Sequence, residues 1–81
     1  MEYGTRLRMM RMARGILQRD LERQIGLPYT TLSPIERGRT VPSPELGAKI
    51  RRVLAWTERE DAALEMLEPV PAGEGEEGEP A

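Results

Sequence analysis

The 81 residues suffice for one domain, and because they include neither cysteine nor histidine, they exclude disulfides, cysteine zinc sites and histidine-based catalysis. No apolar run approaches the roughly 20 residues of a membrane span, and the N-terminus lacks the apolar stretch of a signal peptide, so we expect a cytoplasmic protein without a membrane segment. The net charge of −2 is unevenly divided: residues 1–57 carry 11 cations and 5 acids, whereas residues 58–81 carry 1 arginine and 9 acids, which indicates a basic body with a polyanionic partner and an acidic tail.

The predicted elements of the first half are helical, because apolar residues recur at helical spacing and no β-branched alternation supports a strand. Three helices are predicted there, over about residues 4–14, 17–25 and 28–37. Gly15, Gly26 and Gly38 follow the three segments and are typical of helix ends. Pro28 favours the start of helix 3, since proline is common in a first helical turn.

Two further helices are predicted in the second half, over about residues 44–56 and 58–68. Ser43 followed by Pro44 is a strong helix start, and Thr57 with Glu60 three residues later forms a capping box. On helix 5 we expect four residues to be partly buried: Ala62, Leu64, Met66 and Leu67. Residues 69–81 consist almost entirely of Pro, Gly, Glu and Ala, which predicts a disordered acidic tail after a domain over residues 1–68.

The segment 17–38 has two short helices separated by a glycine turn, which is the core of a helix-turn-helix. Four segments carry a closer resemblance: Gly15-Ile16-Leu17-Gln18, Ile25-Gly26-Leu27, Ile35-Glu36-Arg37-Gly38-Arg39 and Val41-Pro42-Ser43-Pro44-Glu45-Leu46. Over about residues 4–60 the chain resembles the Xre type, the family of phage repressors and Cro proteins. The resemblance implies an all-α, five-helix domain that binds double-stranded DNA. No metal-ligand cluster is visible in the sequence, so we expect neither a metal nor a cofactor.

The resemblance also implies roles for individual residues of this chain. Three outward-facing residues of helix 3 are the candidates for contacting base edges in the major groove: Tyr29, Thr30 and Ser33. Three residues are the candidates for contacting phosphate: Gln18, Arg37 and Arg39. Arg11 and Glu36 are implied as an interior salt bridge between helix 1 and the end of helix 3. The alternatives are that Gln18 only caps helix 2 and that Tyr29 packs against the apolar edge of helix 2. The remaining four contact candidates are then simply solvated: Thr30, Ser33, Arg37 and Arg39. Five other arginines are interpreted as solvated surface: Arg6, Arg8, Arg14, Arg19 and Arg23.

Two residues depart from the family pattern. Glu22 stands where the family usually has alanine, so its carboxylate must tilt to solvent or meet a cation such as Arg19 or Arg23. Pro34 lies inside the predicted helix 3, where proline costs about 3 kcal/mol. We therefore expect a kinked or shortened helix whose first turn, residues 29–31, still enters a groove.

Two functions remain open at this point. The first is a sequence-specific transcriptional regulator that places helix 3 in the major groove. The second is a protein-binding module on the same scaffold, either antitoxin-like or bound to the transcription machinery, which the acidic tail favours. An enzyme lacks support, because no nucleophile–base pair and no phosphate-binding glycine loop is visible. Helix 5 and Trp56 are candidates for a homodimer surface, and the alternative is that they close the core of the monomer.

Overall fold

The computed structural model describes residues 1–67, which form five α-helices and no strand. The helices are α1 (Tyr3–Ala13), α2 (Gln18–Ile25), α3 (Leu32–Glu36), α4 (Pro44–Leu54) and α5 (Glu58–Leu67). The predicted all-α, five-helix architecture is confirmed. None of these helices is both long and apolar enough to cross a membrane. The tail predicted over residues 69–81 lies outside the described residues.

Local capping signals explain where α2 ends and where α4 and α5 begin. Gly26 ends α2 with a φ of 88°, a conformation that glycine adopts without steric cost. The Ser43 side chain accepts a hydrogen bond from the N–H of Leu46 at 3.1 Å, which caps α4. The Thr57 N–H donates to Glu60 Oε1 at 2.9 Å, as the predicted capping box requires. The helix starts predicted from these residues are therefore confirmed.

Helix α3 is shorter than predicted, because it begins at Leu32 instead of near Pro28. Residues 28–31 form a turn, in which Thr31 Oγ1 donates to the Pro28 carbonyl at 2.7 Å. Because α3 starts late, Pro34 is the third residue of the helix and does not interrupt its interior. The first N–H groups of a helix have no intrahelical acceptor, so proline sacrifices no hydrogen bond there. Helix 3 is therefore shortened, as expected, but the missing turn lies before Leu32, and Pro34 is not an interior residue.

Nine apolar residues form the core: Leu7, Met10, Leu21, Leu32, Ile35, Ile50, Leu54, Trp56 and Leu64. Trp56 is only 4% exposed, and its ring stacks on Tyr3 at a centroid distance of 5.6 Å. It therefore closes the core of the monomer, and its assignment to a dimer surface was wrong. On α5 the partial burial expected for Ala62, Met66 and Leu67 was also wrong, since all three are exposed.

Gly4 lies in α1 where this helix crosses the end of α3. A Cβ atom at this position would lie 2.3 Å from the Ile35 carbonyl oxygen and 2.7 Å from that of Glu36. These are backbone atoms, so no side-chain rotation could make room. The close approach of α1 and α3 therefore requires glycine.

Helix α5 is attached to the body mainly by polar contacts, with Leu64 as its one buried apolar side chain. Arg14 donates to the Leu54 carbonyl at 2.6 Å and forms an ion pair with Glu60 at 2.7 Å. Asp61 accepts from the Trp56 Nε1–H at 2.8 Å and pairs with Arg51 at 3.0 Å.

Arg6 of α1 also takes part in this attachment. Arg6 lies 3.9 Å from Asp61 and 3.8 Å from Glu65. The interpretation of Arg6 and Arg14 as solvated surface was therefore wrong. The Thr57 N–H, and after it Arg14, lower the pKa of Glu60 below its ordinary value.

Candidate nucleic-acid interface

An open groove of about 400 Å³ separates α2 from the turn that precedes α3. Six residues line it: Gln18, Arg19, Glu22, Tyr29, Thr30 and Ser33. Four of them are residues that the sequence singled out for contact with DNA: Gln18, Tyr29, Thr30 and Ser33. The fold thus brings the first residue of α2 and the start of α3 to one surface.

The base-contact candidates occupy the turn and the first residues of α3. Tyr29 is 64% exposed, and Ser33, the second residue of α3, is half-buried. Thr30 has a φ of 68°, which is uncommon for a β-branched residue. Its hydroxyl donates to the Tyr29 carbonyl. Tyr29 and Thr30 therefore project from a turn, whereas the sequence placed them on a helix.

Gln18 belongs to a polar network that joins α1, α2 and α3. The Arg11 guanidinium donates twice to the Glu36 carboxylate, at 2.7 and 3.1 Å, and once to the Ile16 carbonyl at 2.8 Å. Gln18 Nε2 donates to the same carboxylate at 3.0 Å. Because an amide nitrogen carries two hydrogens and no second acceptor lies among residues 1–67, one hydrogen is available to DNA. The network fixes Gln18 at the rim of the groove.

Glu22 lies at the floor of the groove and is only 2% exposed. Its Oε2 accepts a hydrogen bond from the Leu32 N–H at 2.9 Å, which caps the start of α3. The expectation that this carboxylate tilts to solvent or meets Arg19 or Arg23 was wrong. Sequence reasoning missed the contact because the donor is a backbone group ten residues further along the chain.

Arg37 and Arg39 follow α3, and both are exposed. Their position is fixed through the backbone, since the Arg37 N–H donates to the Ser33 carbonyl at 3.1 Å and the Arg39 N–H to that of Pro34 at 2.9 Å. Within residues 1–67 neither guanidinium pairs with an acid. They therefore contribute uncompensated positive charge at the end of α3.

A comparison with models of protein families matches residues 2–64 to a family described as a helix-turn-helix domain. The chain belongs to this helix-turn-helix family. A helix-turn-helix domain indicates a DNA-binding regulator in general, and domains of this kind are typically not enzymes. Neither the curated proteins nor the solved structures contain a match to the chain.

In the helix-turn-helix unit of this chain, the structure adds Arg19 to the residues that border the groove. It is the second residue of α2, is exposed, and has no ion-pair partner within residues 1–67. The sequence offered no signal for Arg19, because its position on the groove side depends on where the turn before α3 lies. Arg37 and Arg39 are not among the residues that line the groove.

Proposed function

We propose that this helix-turn-helix domain is a sequence-specific DNA-binding transcriptional regulator of the Xre type. The observation that carries the proposal is the groove that collects Gln18, Tyr29, Thr30 and Ser33, with Arg37 and Arg39 exposed beyond the end of α3. Side-chain donors and acceptors at the start of α3, with unpaired cations at the end of the same helix, suit base edges flanked by phosphates.

The two groups of residues have different tasks in this proposal. Tyr29, Thr30 and Ser33 contact base edges in the major groove, so they determine which sequence is preferred. The phosphate contacts come from Gln18, Arg37 and Arg39, which supply affinity for any duplex. Because α3 begins only at Leu32, the turn over residues 28–31 enters the major groove together with the helix start.

Binding to a pool of random duplexes at two salt concentrations tests the proposal. A DNA-binding domain must lose affinity steeply with salt, because binding to phosphates releases counterions. The double variant Arg37→Gln, Arg39→Gln should bind all sequences more weakly and with a smaller salt slope. Arg59→Gln is the control for the loss of one surface arginine, to be compared with each single variant, since Arg59 is an exposed arginine of α5 without an ion-pair partner in residues 1–67. Equal binding by the double variant and the wild type would contradict the assignment of these phosphate contacts.

The alternative proposal is a protein-binding module on the same scaffold. Leu17 is 53% exposed and Tyr29 is 64% exposed, so two large apolar side chains lie near the groove without cover. The two functions separate in the same experiment. Absence of binding to any duplex at low salt would exclude the regulator and favour a protein partner, antitoxin-like or in the transcription machinery.

We also propose that two copies pair through α5 on two-fold DNA sites, as small domains of this kind usually do. Met66 is 87% exposed and Leu67 is 66% exposed at the end of that helix. Sedimentation of the wild type and of Met66→Glu tests the pairing, because a buried carboxylate should dissociate the dimer. A monomeric wild type in the presence of a two-fold site would contradict it.

A further inference from the structure

The carboxylate of Glu22 has hydrogen-bonding capacity that the protein does not use. An ionised carboxylate accepts hydrogen bonds at both of its oxygens. Oε2 accepts from the Leu32 N–H at 2.9 Å, and no residue among 1–67 donates to Oε1. Glu22 is only 2% exposed, but Oε1 is not among the fully buried polar atoms that lack a partner in residues 1–67, so this oxygen still reaches solvent. The residue also lines the groove, so its second oxygen lies where a ligand could donate to it.

The surroundings of Glu22 indicate which chemical group of a ligand can bind at Oε1. Arg19 borders the same groove but forms no ion pair with Glu22. A phosphate oxygen that approached Oε1 would bring a second acceptor with no hydrogen to share, whereas an N–H group would find an acceptor. In the major groove of DNA the N–H donors are the N4 amine of cytosine and the N6 amine of adenine.

We infer that Glu22 is a specificity-determining residue of this site, whose Oε1 accepts a hydrogen bond from the exocyclic amine of a cytosine or adenine. Its Oε2 meanwhile holds the Leu32 N–H and so keeps the turn over residues 28–31 in place. The inference rests on the proposed function, because it requires the groove to face the base edges of a duplex. It makes α2 contribute to base recognition as well as α3.

The variant Glu22→Gln tests the inference, because it exchanges one carboxylate oxygen for an NH₂ group. The remaining amide oxygen can still accept from the Leu32 N–H, so the start of α3 stays capped. The matched control is Glu45→Gln, which removes the same charge from an exposed residue in the first turn of α4. Sites selected from a random duplex pool by the wild type, Glu22→Gln and Glu45→Gln are then compared.

We expect Glu22→Gln to lose or change its preference at one base-pair position by about 5- to 50-fold, since a base-edge contact discriminates to this extent. The preferences at the other positions, and all those of Glu45→Gln, should match the wild type. Identical selected sites for Glu22→Gln and the wild type would overturn the inference.

Removal of the amine from the DNA tests the contact at a single atom. The probes are duplexes in which purine replaces adenine, or 2-pyrimidinone replaces cytosine, at the position concerned. The wild type should bind the altered duplex more weakly, whereas Glu22→Gln should bind both duplexes alike. Should Glu22→Gln fold poorly, the wild type alone decides: indifference to removal of every such amine in its site overturns the inference.

The outcomes separate this inference from the proposed function. If the wild type binds no duplex at low salt, the proposed function fails and the inference fails with it. If binding is sensitive to salt and selective for sequence, and Glu22→Gln does not change it, the proposed function stands. Only the role of Glu22 is then overturned.

Discussion

The α2–α3 side of the molecule and the α5 side are held together by different kinds of contact. On the α2–α3 side, buried polar groups join neighbouring helices: Glu22 caps α3, and Arg11 pairs with Glu36 through side chains that are 11% and 4% exposed. On the α5 side, the pair of Arg14 with Glu60 has side chains that are 26% and 33% exposed. Buried pairs are screened little by salt, whereas exposed pairs are screened strongly. The surface proposed to contact DNA should therefore keep its shape under conditions that loosen α5.

The largest expected effect comes from Gly4→Ala. The added methyl group would overlap the Ile35 and Glu36 carbonyl oxygens, so α1 and α3 must separate, at a cost of about 3 kcal/mol in unfolding free energy. Urea denaturation followed by circular dichroism measures this loss.

Gly47→Ala is the control for that experiment, because a Cβ atom at Gly47 in α4 meets no atom within 4 Å. There alanine should stabilise the helix by up to about 1 kcal/mol. Equal effects of the two substitutions would mean that the crossing of α1 and α3 is not as close as described.

Glu36→Gln should be the next most harmful change, with a loss of about 2 kcal/mol in unfolding free energy, because the amide keeps an acceptor but loses the charge of the hydrogen bonds. It leaves the buried Arg11 guanidinium without its negative partner and weakens the contact with Gln18. The comparison variant is Asp20→Asn, which breaks an ion pair to Arg23 whose side chains are 68% and 39% exposed. That variant should stay within about 0.5 kcal/mol of the wild type. If both variants lose the same free energy of unfolding, burial does not distinguish the two kinds of pair.

Arg14→Gln should cost about 1 kcal/mol, since it removes a partly exposed ion pair and weakens the contacts with two backbone carbonyls. Its effect should be confined to α5, where amide hydrogen exchange should become faster, while the amide of Leu32 in α3 keeps its protection. Faster exchange throughout the domain would show that α5 and the α2–α3 side unfold as one unit.

The smallest expected effect is a pH dependence at Glu60, whose pKa is lowered from its ordinary value of 4.5. A carboxyl group with a lowered folded-state pKa stabilises the fold above its unfolded-state pKa, and this contribution disappears as the pH falls through the lower value. The melting temperatures of the wild type and Glu60→Gln should therefore differ at neutral pH and converge in acid. A difference that is the same at neutral and acidic pH would contradict this origin of the stability.

The features that could be predicted from the sequence are those encoded within a few residues of one another. Ser43 and Thr57 lie three residues from the groups they bond, so the starts of α4 and α5 followed from local pattern. The cap of α3 by Glu22 and the clamp of Arg14 on Leu54 span 10 and 40 residues. No local pattern marks such contacts, because they exist only once the helices have packed.

The same limit explains what was missed at the candidate site. Pro28 is a common first helical residue, yet α3 begins four residues later, where Leu32 reaches the core and its N–H meets Glu22. Tertiary packing therefore decided the position of the turn. The residues that border the groove could be named in part from the family resemblance, but their placement on a turn could not.

The stacking of Trp56 on Tyr3 has a practical consequence for studies of this domain. The chain contains a single tryptophan, which contacts α1 through Tyr3 and α5 through Asp61. Its intrinsic fluorescence should shift to longer wavelength when α5 separates and water reaches the indole. The protein thus carries its own optical reporter of α5 docking, far along the chain from the residues proposed to contact DNA.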